Sequence, residues 1–132
     1  MKVFASVIMF IMFLLIVISL LMLTRLFTSE DSWIKDSRGV WIKHGVPAST
    51  PNYVLKQQEA INCSLTLYNE KKQEMNLSSQ CLGKCGEYSV DIVHVPRTDE
   101  DDLEENQCSL YRDRITTRFI ELDNEGDIVK VS

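Results

Sequence analysis

The chain has 132 residues, a net charge of −5 and four cysteines, which leaves room for one domain at most. All nineteen acidic residues and twelve of the fourteen basic ones lie in residues 29–132, giving that part a net charge of −7. So negative a surface disfavours nucleic acid and anionic lipid headgroups, though not a basic protein partner.

Residues 1–28 differ in kind from the rest. From Val3 to Leu23 no residue is charged and almost all are Val, Ile, Leu, Met or Phe. As a helix, that run spans roughly 31 Å at 1.5 Å per residue, the thickness of a bilayer's hydrocarbon core. A helix satisfies all its backbone polar groups internally, and one apolar on every face suits lipid better than the core of a small domain. The run exceeds a signal-peptide apolar region, and Thr24-Arg25-Leu26-Phe27-Thr28-Ser29 offers no Ala-x-Ala cleavage pattern. The expectation is a retained single-pass anchor, residues 1–28, followed by a small acidic domain, residues 29–132. Lys2 precedes the helix while Arg25, Lys35 and Arg38 follow it, so charge counting slightly favours a cytoplasmic domain. A short N-terminal tail before a long C-terminal domain is instead the signal-anchor layout, and the cysteines arbitrate.

After a polar juncture at residues 29–32, Trp33-Ile34-Lys35, a turn at Asp36-Ser37-Arg38-Gly39, and Val40-Trp41-Ile42-Lys43 read as a β-hairpin. Trp33 and Trp41 are expected as hairpin core, with an interfacial aromatic belt as the alternative. Beyond the Pro47 linker, Thr50 reads as N-cap and Pro51 as first residue of a helix running to about Met75. Its apolar stripe is Val54, Ile61, Leu65 and Tyr68, widened by Tyr53, Ala60 and Leu67, with Cys63 at the edge and Glu59, Thr66 and Glu70 opposite. Residues 77–86 read as a cysteine loop. Residues 88–95 read as a buried strand ended by Pro96, and residues 98–107 as an acidic, exposed and extended loop. One or two helical turns are expected at 108–114. Residues 116–122 and 128–131 form a closing hairpin about the turn Asp123-Asn124-Glu125-Gly126. The order β-β-α-β-β-β predicts an α+β fold, one long helix across a mostly antiparallel sheet.

Cys63, Cys81, Cys85 and Cys108, an even number in a small domain behind a membrane-targeting segment, predict a disulfide framework. Three pairings are open; Cys81 with Cys85 and Cys63 with Cys108 is the arrangement the spacing favours. A zinc site is the rival, with Cys81-Leu82-Gly83-Lys84-Cys85 as one half and His94 completing a Cys3His set, but no second paired half exists. A thiol–disulfide oxidoreductase using Cys81 and Cys85 is the other alternative, although its motif normally separates the cysteines by two residues, not three. The disulfide reading agrees with the signal-anchor layout and places the domain outside the cytoplasm. Asn62-Cys63-Ser64 and Asn76-Leu77-Ser78 fit the glycosylation tripeptide.

Other candidate chemistry is thin. The run Asp99, Glu100, Asp101, Asp102, Glu104, Glu105 could attract Ca2+, but a solvated loop explains it more simply. Glu121-x-Asp123-x-Glu125-Gly126 begins like a calcium loop, yet Ser132 stands where the closing Glu belongs and strands flank it. Asp91, His94 and Arg97 form an acid/base candidate, weakened because residues three apart on a strand face opposite ways. His44 has no supporting neighbours, and no nucleophile motif is present. No catalytic residue, cofactor, metal or small-molecule substrate is therefore expected.

The stretches Asp36-Ser-Arg-Gly-Val-Trp-Ile-Lys-His-Gly and Asp91-Ile-Val-His-Val-Pro-Arg-Thr, with the Phe119-Ile-Glu-Leu-Asp hairpin, resemble short membrane-anchored archaeal proteins of unassigned role. The resemblance covers most of residues 32–131 and implies no activity, so no residue role follows from it. The function expected is that of an anchored extracytoplasmic module binding a protein or envelope component through its acidic loop or an open sheet edge.

Overall fold

A computed structural model describes residues 2–27, 31–72 and 80–132. The first element, α1 (Lys2–Phe27), contains a 19-residue span, Ser6–Thr24, long and apolar enough to cross a membrane. Its described side chains are exposed to the surroundings rather than packed in a protein core.

Strands β1 (Ser32–Lys35) and β2 (Trp41–His44) form the expected hairpin, Trp33 opposite Lys43 and Ile34 opposite Ile42. Asp36 closes the turn by accepting from the Arg38 and Val40 N–H groups, each at 2.9 Å. Gly39 adopts a positive φ against the Val131 carbonyl, where a Cβ would collide with backbone. Trp33 and Trp41 are half-buried: the Trp33 indole donates to the Ser49 carbonyl at 3.0 Å, and Trp41 packs on Tyr53 with ring centroids 4.8 Å apart.

Helix α2 (Asn52–Lys71) starts one residue later than expected, with Pro51 in extended conformation as N-cap and no side-chain cap from Thr50. The expected end near Met75 lies outside the described residues, as do residues 29–30 of the polar juncture, the start of the cysteine loop and the Asn76 tripeptide. The buried line is Val54, Gln57, Ala60, Ser64 and Tyr68, so two polar residues interrupt the apolar stripe. Each has a structural reason. Ser64 is small, and its hydroxyl donates back to the Ile61 carbonyl. Buried Gln57 accepts from the Trp41 N–H at 2.8 Å and donates to the Gly39 carbonyl at 3.0 Å, fastening the hairpin to α2. Replacing Gln57 by Leu is expected to cost about 2 kcal/mol, because two half-buried hairpin groups lose their partner. Faster hydrogen exchange at the Trp41 amide would check it; unchanged exchange would contradict it.

The main sheet has the order β3 (Cys81–Cys85), β4 (Tyr88–Ile92), β5 (Arg118–Leu122), β6 (Ile128–Val131). Its outer pairs are antiparallel and its central pair β4–β5 is parallel. The α+β expectation holds, with three corrections. The cysteine loop is an edge strand, because residues 81–85 pair with β4 across a tight turn at Gly86 and Glu87. The strand expected to reach Val95 ends at Ile92, leaving Val95 64% exposed. The acidic stretch is not extended: Asp99–Asp102 is a 3-10 turn within the β4-to-β5 crossover, followed by α3 (Ser109–Arg112).

The parallel register places Tyr88, Val90, Ile92, Ile120 and Leu122 on one face of the sheet. These residues are buried in the core with Ala60 and Tyr68 of α2. The Tyr68 ring lies on Gly126, where a Cβ would overlap it, and its hydroxyl donates to the Asn124 carbonyl at 2.7 Å. The crossover lies over the other face, where Tyr111 meets Phe119 edge to face at 5.3 Å.

The disulfides pair Cys63 with Cys85 and Cys81 with Cys108, so the pairing expected from spacing is wrong. The cause is a bulge in β3. Cys81 is in register with Asp91, but Gly83 is in register with Val90, so one extra residue shifts the strand's alternation. Cysteines four apart would otherwise point the same way; here Cys81 faces the crossover and Cys85 faces α2. Each disulfide therefore joins one covering layer to the edge strand. The same geometry overturns Cys81 and Cys85 as a redox pair. It also divides the four sulfurs between opposite faces, which no tetrahedral zinc site could accommodate.

Candidate functional site

On the crossover side of the sheet, one transverse row runs through all four strands: Cys81, Asp91, Glu121 and Lys130 occupy consecutive register positions. Two carboxylates thus stand side by side on the parallel strands. They line a cleft of about 620 Å³, together with Arg97, Asp101 and Asp102 from the crossover and Tyr111, Phe119 and Lys130.

The charges are unevenly matched. The Arg97 guanidinium donates to Glu121 at 2.9 Å and to Asp102 at 3.0 Å, and these contacts raise its pKa. Lys130 lies over the Phe119 ring. Among the described residues Asp91 has no cation in contact; its hydrogen bond is from the Cys108 N–H, at 3.1 Å. Burial, with the Glu121 carboxylate adding to it, pushes the Asp91 carboxyl up from its ordinary 3.8 to about 6, against the Cys108 N–H and the nearby Arg97 charge. Cys108 is held there by its bond to Cys81, so the disulfide fixes the one donor that Asp91 has.

Above pH 6 Asp91 is ionised at a cost. The folded form binds more protons than the unfolded chain between about pH 4 and pH 6, so this group makes stability fall as pH rises through that window. Asp91→Asn is expected to stabilise the protein by about 2 kcal/mol at pH 7 and to leave it nearly unchanged at pH 4. Thermal melts of both forms across that range test this; a uniform shift would contradict it.

The acid/base candidate is taken apart. His94 lies beyond the end of β4, and its Nδ1 is 2.9 Å from Asp101, not from Asp91. Arg97 serves Glu121 and Asp102. Asp101, expected to be exposed, is only 2% exposed. It takes hydrogen bonds from the Thr98 and His94 N–H groups and the Gln80 amide, organising the crossover's first turn. The other carboxylates of the run are solvated, as expected for a loop rather than a calcium cage. Residues 123–127 form a hairpin turn in which Asp123 caps the Glu125 and Asp127 N–H groups, which removes the calcium-loop reading. His44 is exposed on the hairpin. At the first glycosylation tripeptide, Ser64 is fully buried and Cys63 is in a disulfide.

Lys130 and the Cys81–Cys108 link escaped notice in the sequence, where Glu121 reads only as the start of a calcium loop. The available signal was charge inside apolar strands: Val90-Asp91-Ile92 and Ile120-Glu121-Leu122 each set a carboxylate between core residues. Among the described residues, Asp91 and the two sulfurs of Cys81 and Cys108 also lie within 4.8 Å of one another. The disulfide consumes those sulfurs as metal ligands. No protein family, curated protein or solved structure matches this chain.

Proposed function

We infer that the protein is a membrane-anchored binding module, spanning the bilayer once through α1, with its domain outside the cytoplasm and its cleft open to a partner bearing a cationic group. Four cysteines paired in two disulfides support an oxidising compartment, since cytosolic thiols are kept reduced. The length and apolarity of α1 support the anchor. The net charge of the domain argues against nucleic acid as the partner.

The observation that carries the binding reading is the Asp91–Glu121 pair, set side by side in a cleft where, among the described residues, Arg97 is bonded to Glu121 and no cation is bonded to Asp91. Two adjacent carboxylates repel, and a lysine or arginine side chain entering the cleft relieves that repulsion and stabilises the ionised Asp91. A buried carboxyl whose ionised form is disfavoured by its surroundings is the kind of group that binding sites carry. The aromatic wall of Tyr111 and Phe119 suits the aliphatic part of such a side chain.

Titrating the detergent-solubilised full-length protein with short lysine- and arginine-containing peptides tests the reading. Chemical-shift changes at Asp91, Glu121 and Tyr111, an affinity that falls below pH 6, and loss of binding in Asp91→Asn are the expected results. Peptide binding that Asp91→Asn leaves intact, or that shifts other surfaces only, would overturn it.

A further inference from the structure

Resting on the anchored reading above, we propose that the β1–β2 hairpin seats the domain on the surface of the bilayer that α1 crosses, placing Ile34, Ile42 and Val46 in the headgroup region. The hairpin has two unlike faces. Trp33, Lys35, Trp41 and Lys43 share one, where Trp41 packs on Tyr53 and Trp33 bonds to Ser49, so this face turns toward the domain. Ser32, Ile34, Ile42 and His44 share the other. On it Ile34 and Ile42 are a directly opposed pair, each 40% exposed, and Val46 just beyond the strand is 82% exposed.

Chain connectivity supplies the occupant. Four peptide units join Phe27, the last residue of α1, to Asp31, a reach of at most about 14 Å. Asp31 in turn accepts from the Val46 N–H at 2.9 Å, which ties the base of the hairpin to the point where the chain arrives from the anchor. Wherever α1 leaves the hydrocarbon, Val46 and the open end of the hairpin are within reach of the same leaflet.

Charge points the same way. Residues 30–46 hold three basic residues against three acidic, a net of zero, whereas residues 47–132 hold nine basic against sixteen acidic, a net −7. An anionic surface repels the body of the domain but not the hairpin, so the domain has one preferred way to stand. The hairpin is also rigidly held, by Gln57 and by the Val131 N–H donating to the Arg38 carbonyl at 2.7 Å, so its seating orients the whole domain.

The test uses the unaltered full-length chain, isoleucine-methyl-labelled, in nanodiscs of phosphatidylcholine and phosphatidylglycerol doped with nitroxide lipids. With the nitroxide on the headgroup, the Ile34 and Ile42 methyl signals are expected to lose roughly half their intensity or more, as residues at the interface should. Ile115, 56% exposed on the crossover, serves as the distant reference and keeps its intensity. With the nitroxide on the acyl chain, Ile8, Ile11, Ile16 and Ile18 of α1 report insertion. Ile34 and Ile42 behaving like Ile115 while the α1 signals are broadened would overturn the proposal and leave the anchor standing. α1 signals untouched by the acyl-chain label would overturn the anchored reading itself, and this proposal with it.

Discussion

Replacing Cys81 and Cys108 together by serine is expected to lower the stability of the domain by about 3–4 kcal/mol, the chain-entropy value for a loop closed across 27 residues. Replacing Cys63 and Cys85, 22 residues apart, should cost nearly as much. A domain of this size rarely has more than about 5–15 kcal/mol to lose, so removing both should leave it largely unfolded at physiological temperature. The two single-bond variants should nonetheless fail in different places, because the bonds lie on opposite faces of the sheet. Without Cys81–Cys108 the crossover is freed: hydrogen exchange rises around α3, and Asp91 loses the ordered Cys108 N–H. Without Cys63–Cys85 the weakened contact is that of α2 with β3. Urea unfolding gives the magnitudes, and exchange mapped by residue gives the location. Loosening of both layers in either variant would contradict the separation.

Asp101→Ala is expected to be the most damaging single substitution outside the cysteines, at about 3–5 kcal/mol. Its side chain is buried and gathers the Thr98 and His94 N–H groups, the Gln80 amide and the His94 ring, all of which lose their acceptor at once. Asp101→Asn should fall between, since the amide keeps one oxygen but turns an NH2 toward existing donors. The acid dependence gives a second signature. Burial pushes the Asp101 carboxyl up, but the bonds from Thr98, His94 and Gln80 outweigh it and hold the group well below the usual carboxylate range. A depressed folded pKa contributes stability above the unfolded value near 4 and loses it as pH falls below that point. Asp101 thus acts below pH 4 and Asp91 between pH 4 and 6, with opposite signs. In Asp101→Ala the steep acid-side loss should disappear while the Asp91 slope remains; a loss of equal steepness in both proteins would contradict the assignment.

Much of the architecture was legible because it rests on local signals. The uncharged run of α1, the Asp36–Gly39 turn between aromatic strands, the periodicity of α2 and the Asp123–Gly126 turn each declare themselves within a few residues. What escaped depends on contacts distant in sequence. The partner of Cys81 could not be read because one bulge at Cys81–Gly83 reverses which face the cysteine serves. The parallel pairing of β4 with β5 is set by a crossover whose elements are only four residues long each, too short for periodicity to show. Asp101 looks like any member of a solvated acidic run until Gln80, His94 and Thr98 are seen to converge on it. Of the cleft, Asp91 and Arg97 drew attention for the wrong chemistry, with His94 as their supposed partner. Glu121, the actual neighbour of Asp91, is thirty residues away and reaches it through sheet register.

The exposed carboxylates that dominate the composition have a modest role in this account. They set the field that repels polyanions and holds the body of the domain off an anionic surface. Specific recognition is assigned to the few charges that the fold removes from water, where an unmatched carboxylate has consequences that a solvated one does not.

The central claim is that lipid solvates α1 and that the domain folds on the oxidising side of that lipid. Treating intact cells expressing the full-length chain with a membrane-impermeant protease, then analysing the protected fragments under non-reducing conditions with a thiol-alkylating reagent present, addresses both halves at once. The account predicts cleavage beyond α1 without cell lysis and no alkylated cysteine before reduction. A chain protected until lysis, with four alkylatable thiols, would contradict it.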